Sequence, residues 1–178
     1  MPRSKFSLFV SLLLITFYAS NVILAINETI PPQMQKLSNK LLGKWKAELF
    51  MTMNEKEYLI KDNCEFTQIA DGQGIYMSET MMMDNGTEYK IESIIGFDAA
   101  TETLHWYTVT NMGDTQDNIV NWIDNDTFTI TFCGMKNNKP YEEYIECKFI
   151  RDGYCDIKQT VKVNKEIVSE IYGAFIRQ

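Results

Sequence analysis

The stretch Leu41-Leu42-Gly43-Lys44-Trp45-Lys46-Ala47-Glu48-Leu49 decides the fold, because it joins a short helix to a strand through a glycine and a tryptophan. Before it, apolar residues follow the Pro31-Pro32 pair at helical spacing. These residues are Met34, Leu37, Leu41 and Leu42. After it, apolar and polar residues alternate from Lys44 to Thr52, as in a strand with one buried face. The sequence therefore predicts a helix that covers one end of a β-sheet and a strand that opens that sheet.

The first 25 residues predict a secretory signal peptide. Arg3 and Lys5 precede an apolar run from Phe6 to Tyr18, and small residues follow it. Cleavage after Ala19, Ser20 or Ala25 fits this pattern. The alternative is an uncleaved membrane anchor, but the run is shorter than the ~20 residues that a helical span needs. We therefore expect a secreted or periplasmic protein with no membrane span after cleavage.

The remaining chain has the length of one domain. We expect an N-terminal extension with the short helix over residues 26–40 and one β-barrel domain over residues 41–178. Removing the two basic residues of the signal peptide takes the net charge from −7 to −9. A chain this acidic is not expected to bind the phosphate backbone of nucleic acids.

Ten alternating segments, separated by turn residues at short and even spacing, follow the helix. Consecutive hairpins of this kind favour an all-β fold, a single up-and-down antiparallel β-barrel of about ten strands. Asn85-Gly86 is the strongest hairpin signal, since a type I′ turn needs positive φ at both positions. That turn would place Met82 opposite Tyr89. The predicted inward set is then Tyr76, Ser78, Thr80, Met82, Tyr89, Ile91, Ser93 and Ile95, and the predicted solvent set is Glu79, Glu88, Lys90 and Glu92.

Three segments resemble an uncharacterised family of small calycin-like (lipocalin-like) β-barrel proteins, many of them bacterial and exported. They are Leu41–Trp45, Gly96–Thr101 with the Asn111-Met112-Gly113 loop after its strand, and Tyr172–Arg177. The resemblance implies a lipocalin-like cup. It also implies a structural role for Gly43, for Trp45 as the seal of the barrel base and for Arg177 as the basic residue across it. It implies no catalytic residues.

The predicted inward faces carry more hydroxyl and carboxyl groups than a packed core accepts, since each unsatisfied group costs ~1 to 3 kcal/mol. We therefore predict a hollow barrel whose lumen binds a ligand. The predicted ligand contacts are Tyr58, Asp62, Tyr76, Ser78, Thr80, Tyr89, Ser93 and Glu143. The alternative for the two carboxylates, Asp62 and Glu143, is a place near the rim where each reaches water.

His105 is the only histidine, which limits the chemistry that the chain can perform. Metal sites with two histidines are excluded, and no metal site or catalytic residue is predicted. Haem-binding barrels of the nitrobindin type resemble this architecture, but they use a histidine late in the chain. Haem ligation by His105 therefore stays open as an alternative, and no cofactor is expected.

The four cysteines match no metal motif and allow three disulfide pairings. They are Cys64, Cys133, Cys147 and Cys155. Arg151-Asp152-Gly153 predicts a three-residue hairpin that places Ile150 opposite Tyr154, Phe149 opposite Cys155 and Cys147 opposite Ile157. Cys147 and Cys155 would then be diagonal neighbours, too far apart for a disulfide.

The leading function is binding or carrying a small, partly apolar molecule outside the cytoplasm. The first alternative is an enzyme acting on a small molecule, with haem as one possible cofactor. The second is a protein interaction module that uses an outer face rich in methionine at Met77, Met81 and Met83. The sequence leaves the ligand and the oligomeric state open.

Overall fold

The computed structural model describes residues 29–178. The chain divides into two units, residues 1–30 and residues 31–178. The predicted signal peptide therefore lies outside the described residues. Within them, no helix has the length and apolarity to cross a membrane.

Helix α1 spans Pro32–Leu41 and has proline in its first turn, where the missing N–H has no helical partner to lose. Its buried residues are Met34, Leu37, Ser38 and Leu41. The helix ends as the backbone N–H of Leu42 donates to the Ser38 carbonyl at 3.1 Å. The buried face of α1 thus packs against the rest of residues 31–178. The first strand begins at Gly43, directly after Leu42.

Ten strands follow α1. They are β1 Gly43–Met53, β2 Lys56–Ile69, β3 Gly74–Met83, β4 Glu88–Asp98, β5 Thr103–Thr110, β6 Thr115–Trp122, β7 Thr127–Lys136, β8 Lys139–Arg151, β9 Tyr154–Val163 and β10 Glu166–Arg177. A short 3₁₀ turn, Ala70–Gly72, joins β2 to β3. Each strand pairs antiparallel with the next, and β1 pairs with β10. The closed up-and-down barrel of ten strands that the sequence predicts is confirmed.

Trp45 lies at the end of the barrel that α1 covers. Its indole N–H donates to the Leu41 carbonyl at 2.6 Å, and the Arg177 guanidinium carbon lies 4.7 Å from the ring centroid. Arg177 also donates to the Lys40 carbonyl at 2.6 Å and to Asp152 at 3.1 Å. The last residues of the chain therefore join the helix, the first strand and the turn between β8 and β9.

Four of the turns that follow odd-numbered strands decide the register of their hairpins. Asn54-Glu55, Asn137-Asn138 and Asn164-Lys165 form two-residue loops with positive φ at both positions, as in type I′ turns. Asn85-Gly86 does not: only Gly86 has positive φ, and the Gly86 N–H donates to the Met83 carbonyl at 2.9 Å. This turn is a three-residue loop with glycine at the left-handed position.

The longer loop shifts the pairing of β3 with β4 by one residue. Met82 pairs with Glu88 and Met81 with Tyr89, so the predicted pairing of Met82 with Tyr89 was wrong. Because side chains alternate between faces, a slip of one residue moves every β3 side chain to the other side of the sheet. The inward residues of β3 are Ile75, Met77, Glu79, Met81 and Met83.

The hairpin of β8 and β9 follows the predicted pairing in its body. Phe149 pairs with Cys155 and Cys147 with Ile157, as the sequence predicts. At the turn, Arg151 pairs with Tyr154 because the register shifts by a bulge between Phe149 and Arg151, so the predicted pairing of Ile150 with Tyr154 was wrong. All four cysteines of the chain lie within residues 29–178 and are free thiols.

Candidate functional site

The barrel encloses a cavity of about 280 Å³. Leu41, from the covered end, and Lys136 and Asp114, from the opposite end, all line it. The Lys136 and Asp114 side chains are 48% and 53% exposed. The cavity thus runs from beneath α1 to side chains that solvent reaches.

The covered end of the cavity is apolar and aromatic. Trp45 and Phe149 meet edge to face with ring centroids 6.3 Å apart, and Phe66 and Trp106 do so at 5.9 Å. Phe128 lies 6.1 Å from Phe149 and has no exposed surface. These rings form an aromatic floor at the covered end of the cavity.

The solvent end of the cavity is organised around Glu143. Its carboxylate accepts hydrogen bonds from the Tyr141 hydroxyl at 2.8 Å and from the side-chain amides of Gln116 at 2.9 Å and Gln159 at 2.6 Å. Burial, followed by the neighbouring Glu143 carboxylate, raises the pKa of Tyr141, so its hydroxyl stays a donor at neutral pH. Glu143 is therefore well supplied with donors from three strands.

Lys136 and Asp114 form an ion pair at the same end. The Lys136 ammonium lies 3.1 Å from the Asp114 carboxylate and 5.5 Å from the centroid of the Tyr141 ring. Lys136 is the last residue of β7, and Asp114 immediately precedes β6. The pair therefore lies at the solvent end of the cavity.

Asp62 and Glu79 bring two carboxyl groups together in the wall of the cavity. They lie on the neighbouring strands β2 and β3, where Cys64 pairs with Glu79 and Asp62 pairs with Met81. Burial, and then the adjacent Glu79 carboxyl, raises the pKa of Asp62, and burial also raises the pKa of Glu79. The pair therefore holds protons more tightly than exposed carboxyls do.

The predicted ligand contacts fall into three groups. Asp62 and Glu143 line the cavity. Tyr58 and Tyr89 face inward but pack against the apolar cluster that contains Leu49 and Ile60. Ser93 is buried, and its hydroxyl shares a hydrogen bond of 2.9 Å with Thr108.

Tyr76, Ser78 and Thr80 form the third group, and here the structure corrects the sequence analysis. The one-residue slip described above turns all three to the outer face of the barrel. The Tyr76 and Ser78 hydroxyls both donate to the Glu92 carboxylate on that face. The prediction that these three side chains face the lumen was therefore wrong.

The same slip reverses two other expectations. Glu79, predicted to face solvent, lies inside and lines the cavity. Met77 and Met83 are buried, and Met77 and Met81 line the cavity, so the predicted outer methionine face does not exist. The signal that could have found the correct face is β3 itself, because four of its five alternate residues from Ile75 to Met83 are apolar.

His105 points outward, and its Nδ1 lies 2.9 Å from the Asp117 carboxylate. A haem placed in the lumen would therefore have no histidine ligand, so the structure does not fit haem ligation by His105. Among residues 29–178, no cluster of histidine, cysteine and carboxylate side chains has the geometry of a metal site.

Comparison with solved structures supports the calycin-like fold. The barrel is similar to Rv2717c from M. tuberculosis, with a TM-score of 0.62 and 11% sequence identity over 84% of this chain and 99% of that one. It is also similar to the S-type phycobiliprotein lyase CPES from Guillardia theta, with a TM-score of 0.53 and 12% identity over 85% and 94% of the two chains. No protein-family model and no curated protein sequence matches the chain.

Proposed function

We propose that this protein binds or carries a small, partly apolar molecule in the lumen of its barrel. The observation that carries the proposal is the cavity of about 280 Å³, which combines an aromatic floor with polar side chains along its wall. Small-molecule sites have this composition, in which apolar surface supplies affinity and a few polar groups fix orientation. An antiparallel barrel of this size can hold one small ligand.

A titration with octan-1-ol tests the proposal, using two tryptophan variants of one strand. Ile145 lines the cavity, whereas Ile150 is 52% exposed on the outside. Ile145→Trp fills the lumen, and Ile150→Trp adds the same side chain outside it. We expect calorimetry to show octan-1-ol binding to the parent and to Ile150→Trp, and at least a tenfold loss of affinity in Ile145→Trp, about 1.4 kcal/mol. Equal binding by both variants would overturn the proposal.

We propose in addition that the mature protein acts outside the cytoplasm. The support is the basic, apolar and small-residue pattern of residues 1–25. Intact-mass spectrometry of the protein from fractionated source cells tests this. We expect a chain that starts after Ala19, Ser20 or Ala25 in the exported fraction, and a chain that retains Met1 in the cytosol would contradict the proposal.

A further inference from the structure

Asp62 is a buried carboxyl group that lacks donors. Its side chain lines the cavity and is only 2% exposed, and among residues 29–178 neither of its carboxyl oxygens accepts a hydrogen bond from a donor. Its polar neighbour is the Glu79 carboxyl, which can donate only while it carries a proton. Buried polar groups are normally satisfied, and buried carboxylates are normally paired with a cation.

No basic side chain of the cavity wall serves the Asp62–Glu79 pair. Lys136 is the one lysine or arginine that lines the described cavity, and its ammonium is already paired with Asp114 at 3.1 Å. One shared proton satisfies one acceptor of the pair and leaves the others without a donor. The donors that the described residues do not supply to this pair can be supplied by a molecule in the lumen.

Glu143 provides the contrast within the same cavity. Its two oxygens accept three hydrogen bonds from Tyr141, Gln116 and Gln159, so it needs nothing from a ligand. Neighbouring side chains thus supply hydrogen-bond donors to the Glu143 carboxylate but not to the Asp62–Glu79 pair. A polar network built only for packing would have satisfied both sites.

The charge of the whole lumen points to the same ligand chemistry. The cavity is lined by Asp62, Glu79, Asp114 and Glu143 but by a single basic residue, Lys136. Burial raises the pKa of both Asp62 and Glu79, so this pair becomes negatively charged only when a cation takes the place of a bound proton. An ammonium group can take that place, whereas an anionic head group cannot.

We propose that the lumen ligand is an organic amine whose protonated nitrogen binds between Asp62 and Glu79 while its apolar part lies on the aromatic floor. The proposal rests on the proposed function and adds the chemical class of the ligand. The ammonium N–H groups donate to the carboxyl oxygens that lack donors, in charge-assisted hydrogen bonds. The hydrocarbon part contacts Trp45, Phe66 and Trp106, which line the same cavity.

Three probes of equal chain length test the head-group preference: octan-1-amine, octan-1-ol and octanoate, titrated calorimetrically at pH 7.5 into the full mature chain. We expect the amine to bind at least about tenfold more tightly than the alcohol, and octanoate to bind more weakly than the alcohol.

Variants locate the preference within the barrel. Asp62→Asn and Glu79→Gln, singly and together, should reduce the advantage of the amine over the alcohol to threefold or less. A cooperative thermal melt and the circular dichroism spectrum of the parent show that each variant is folded. The control is Glu65→Gln, which removes an exposed carboxylate from the outer face of the same strand and should keep the full preference.

The outcomes separate the two proposals. If no probe binds, the proposed function fails and the amine proposal falls with it. If octan-1-ol or octanoate binds the parent as tightly as octan-1-amine, the lumen is a binding site but the amine proposal is wrong. If the amine preference survives in the Asp62→Asn and Glu79→Gln double variant, or is lost in Glu65→Gln, the nitrogen does not bind where we propose.

Discussion

Trp45 is held by the helix before it and by the last strand of the barrel. Its N–H donates to Leu41, and the Arg177 guanidinium covers its ring. Trp45→Ala would remove a 3% exposed indole from the barrel base and leave a cavity beneath α1. We expect a loss of about 3 to 5 kcal/mol in the free energy of unfolding, measured by chemical denaturation. A loss below about 1 kcal/mol would show that Trp45 does not seal the base.

Asp62 gives the barrel a pH dependence whose sign follows from its surroundings. Burial and the neighbouring Glu79 carboxyl raise the pKa of Asp62, so the folded state binds its proton more tightly than the unfolded state does. The stabilisation is complete below the unfolded carboxyl pKa of about 4 and is lost as the pH rises through the raised pKa of the folded state.

Asp62→Asn tests this sign. The parent must take up a proton at Asp62 when it folds at pH 8, and asparagine needs none, so we expect the variant to be more stable than the parent at pH 8, by about 1 to 3 kcal/mol. The gain should shrink towards pH 4, where the unfolded parent carries this proton as well. Thermal melts of parent, Asp62→Asn and Glu65→Gln across this range measure the effect. A variant less stable than the parent at pH 8 would mean that a satisfied carboxylate had been removed.

Gly173 lets β10 lie close to β1 where the barrel closes. A Cβ atom at Gly173 would lie 2.8 Å from the Glu48 carbonyl oxygen and 2.7 Å from the Leu49 side chain. Gly173→Ala should therefore force the two strands apart and destabilise the barrel by about 1 to 3 kcal/mol. Gly96→Ala is the matched control, because no atom lies within 4 Å of its added Cβ. Equal denaturation midpoints for the two variants would contradict this account of closure.

Much of the arrangement of the strands could be predicted from the sequence. Strand count, order and pairing follow from alternation and turn spacing, and most strands face as the alternation predicts. β3 was assigned to the wrong face because Asn85-Gly86 fits both a two-residue type I′ turn and a three-residue loop with glycine at its left-handed position. The two turns differ in length by one residue, and a shift of one residue in the pairing moves every side chain of the strand to the opposite face of the sheet.

Part of the candidate site could also be predicted from the sequence. Asp62 and Glu143 stand on strands whose facing was assigned correctly, and both line the cavity. Glu79 was missed because it depends on the facing of β3. The donors that saturate Glu143 could not be found either, since Gln116 and Gln159 come from strands distant in sequence.

Closure of the barrel, and not disulfide bonds, holds the fold together, since all four cysteines are free thiols. Cys147 and Cys155 are buried thiols on adjacent strands. Burial raises the pKa of Cys64, and the hydrogen bond with Cys155, followed by burial, raises the pKa of Cys147. We expect a reductant to leave the melting temperature unchanged, and a thiol reagent to count four free cysteines in the unfolded chain. A non-reducing peptide map with a link between Cys147 and Cys155 would contradict the arrangement of this hairpin.

The most direct test of a ligand in the lumen is an NMR titration of the ¹³C-methyl methionine signals with octan-1-ol. Met77 and Met81 line the cavity, whereas Met82 and Met135 are 38% and 68% exposed on the outside. We predict that the Met77 and Met81 signals shift and saturate together while those of Met82 and Met135 stay unchanged. Shifts confined to Met82 and Met135, or no shift at Met77 and Met81, would contradict a binding site inside the barrel.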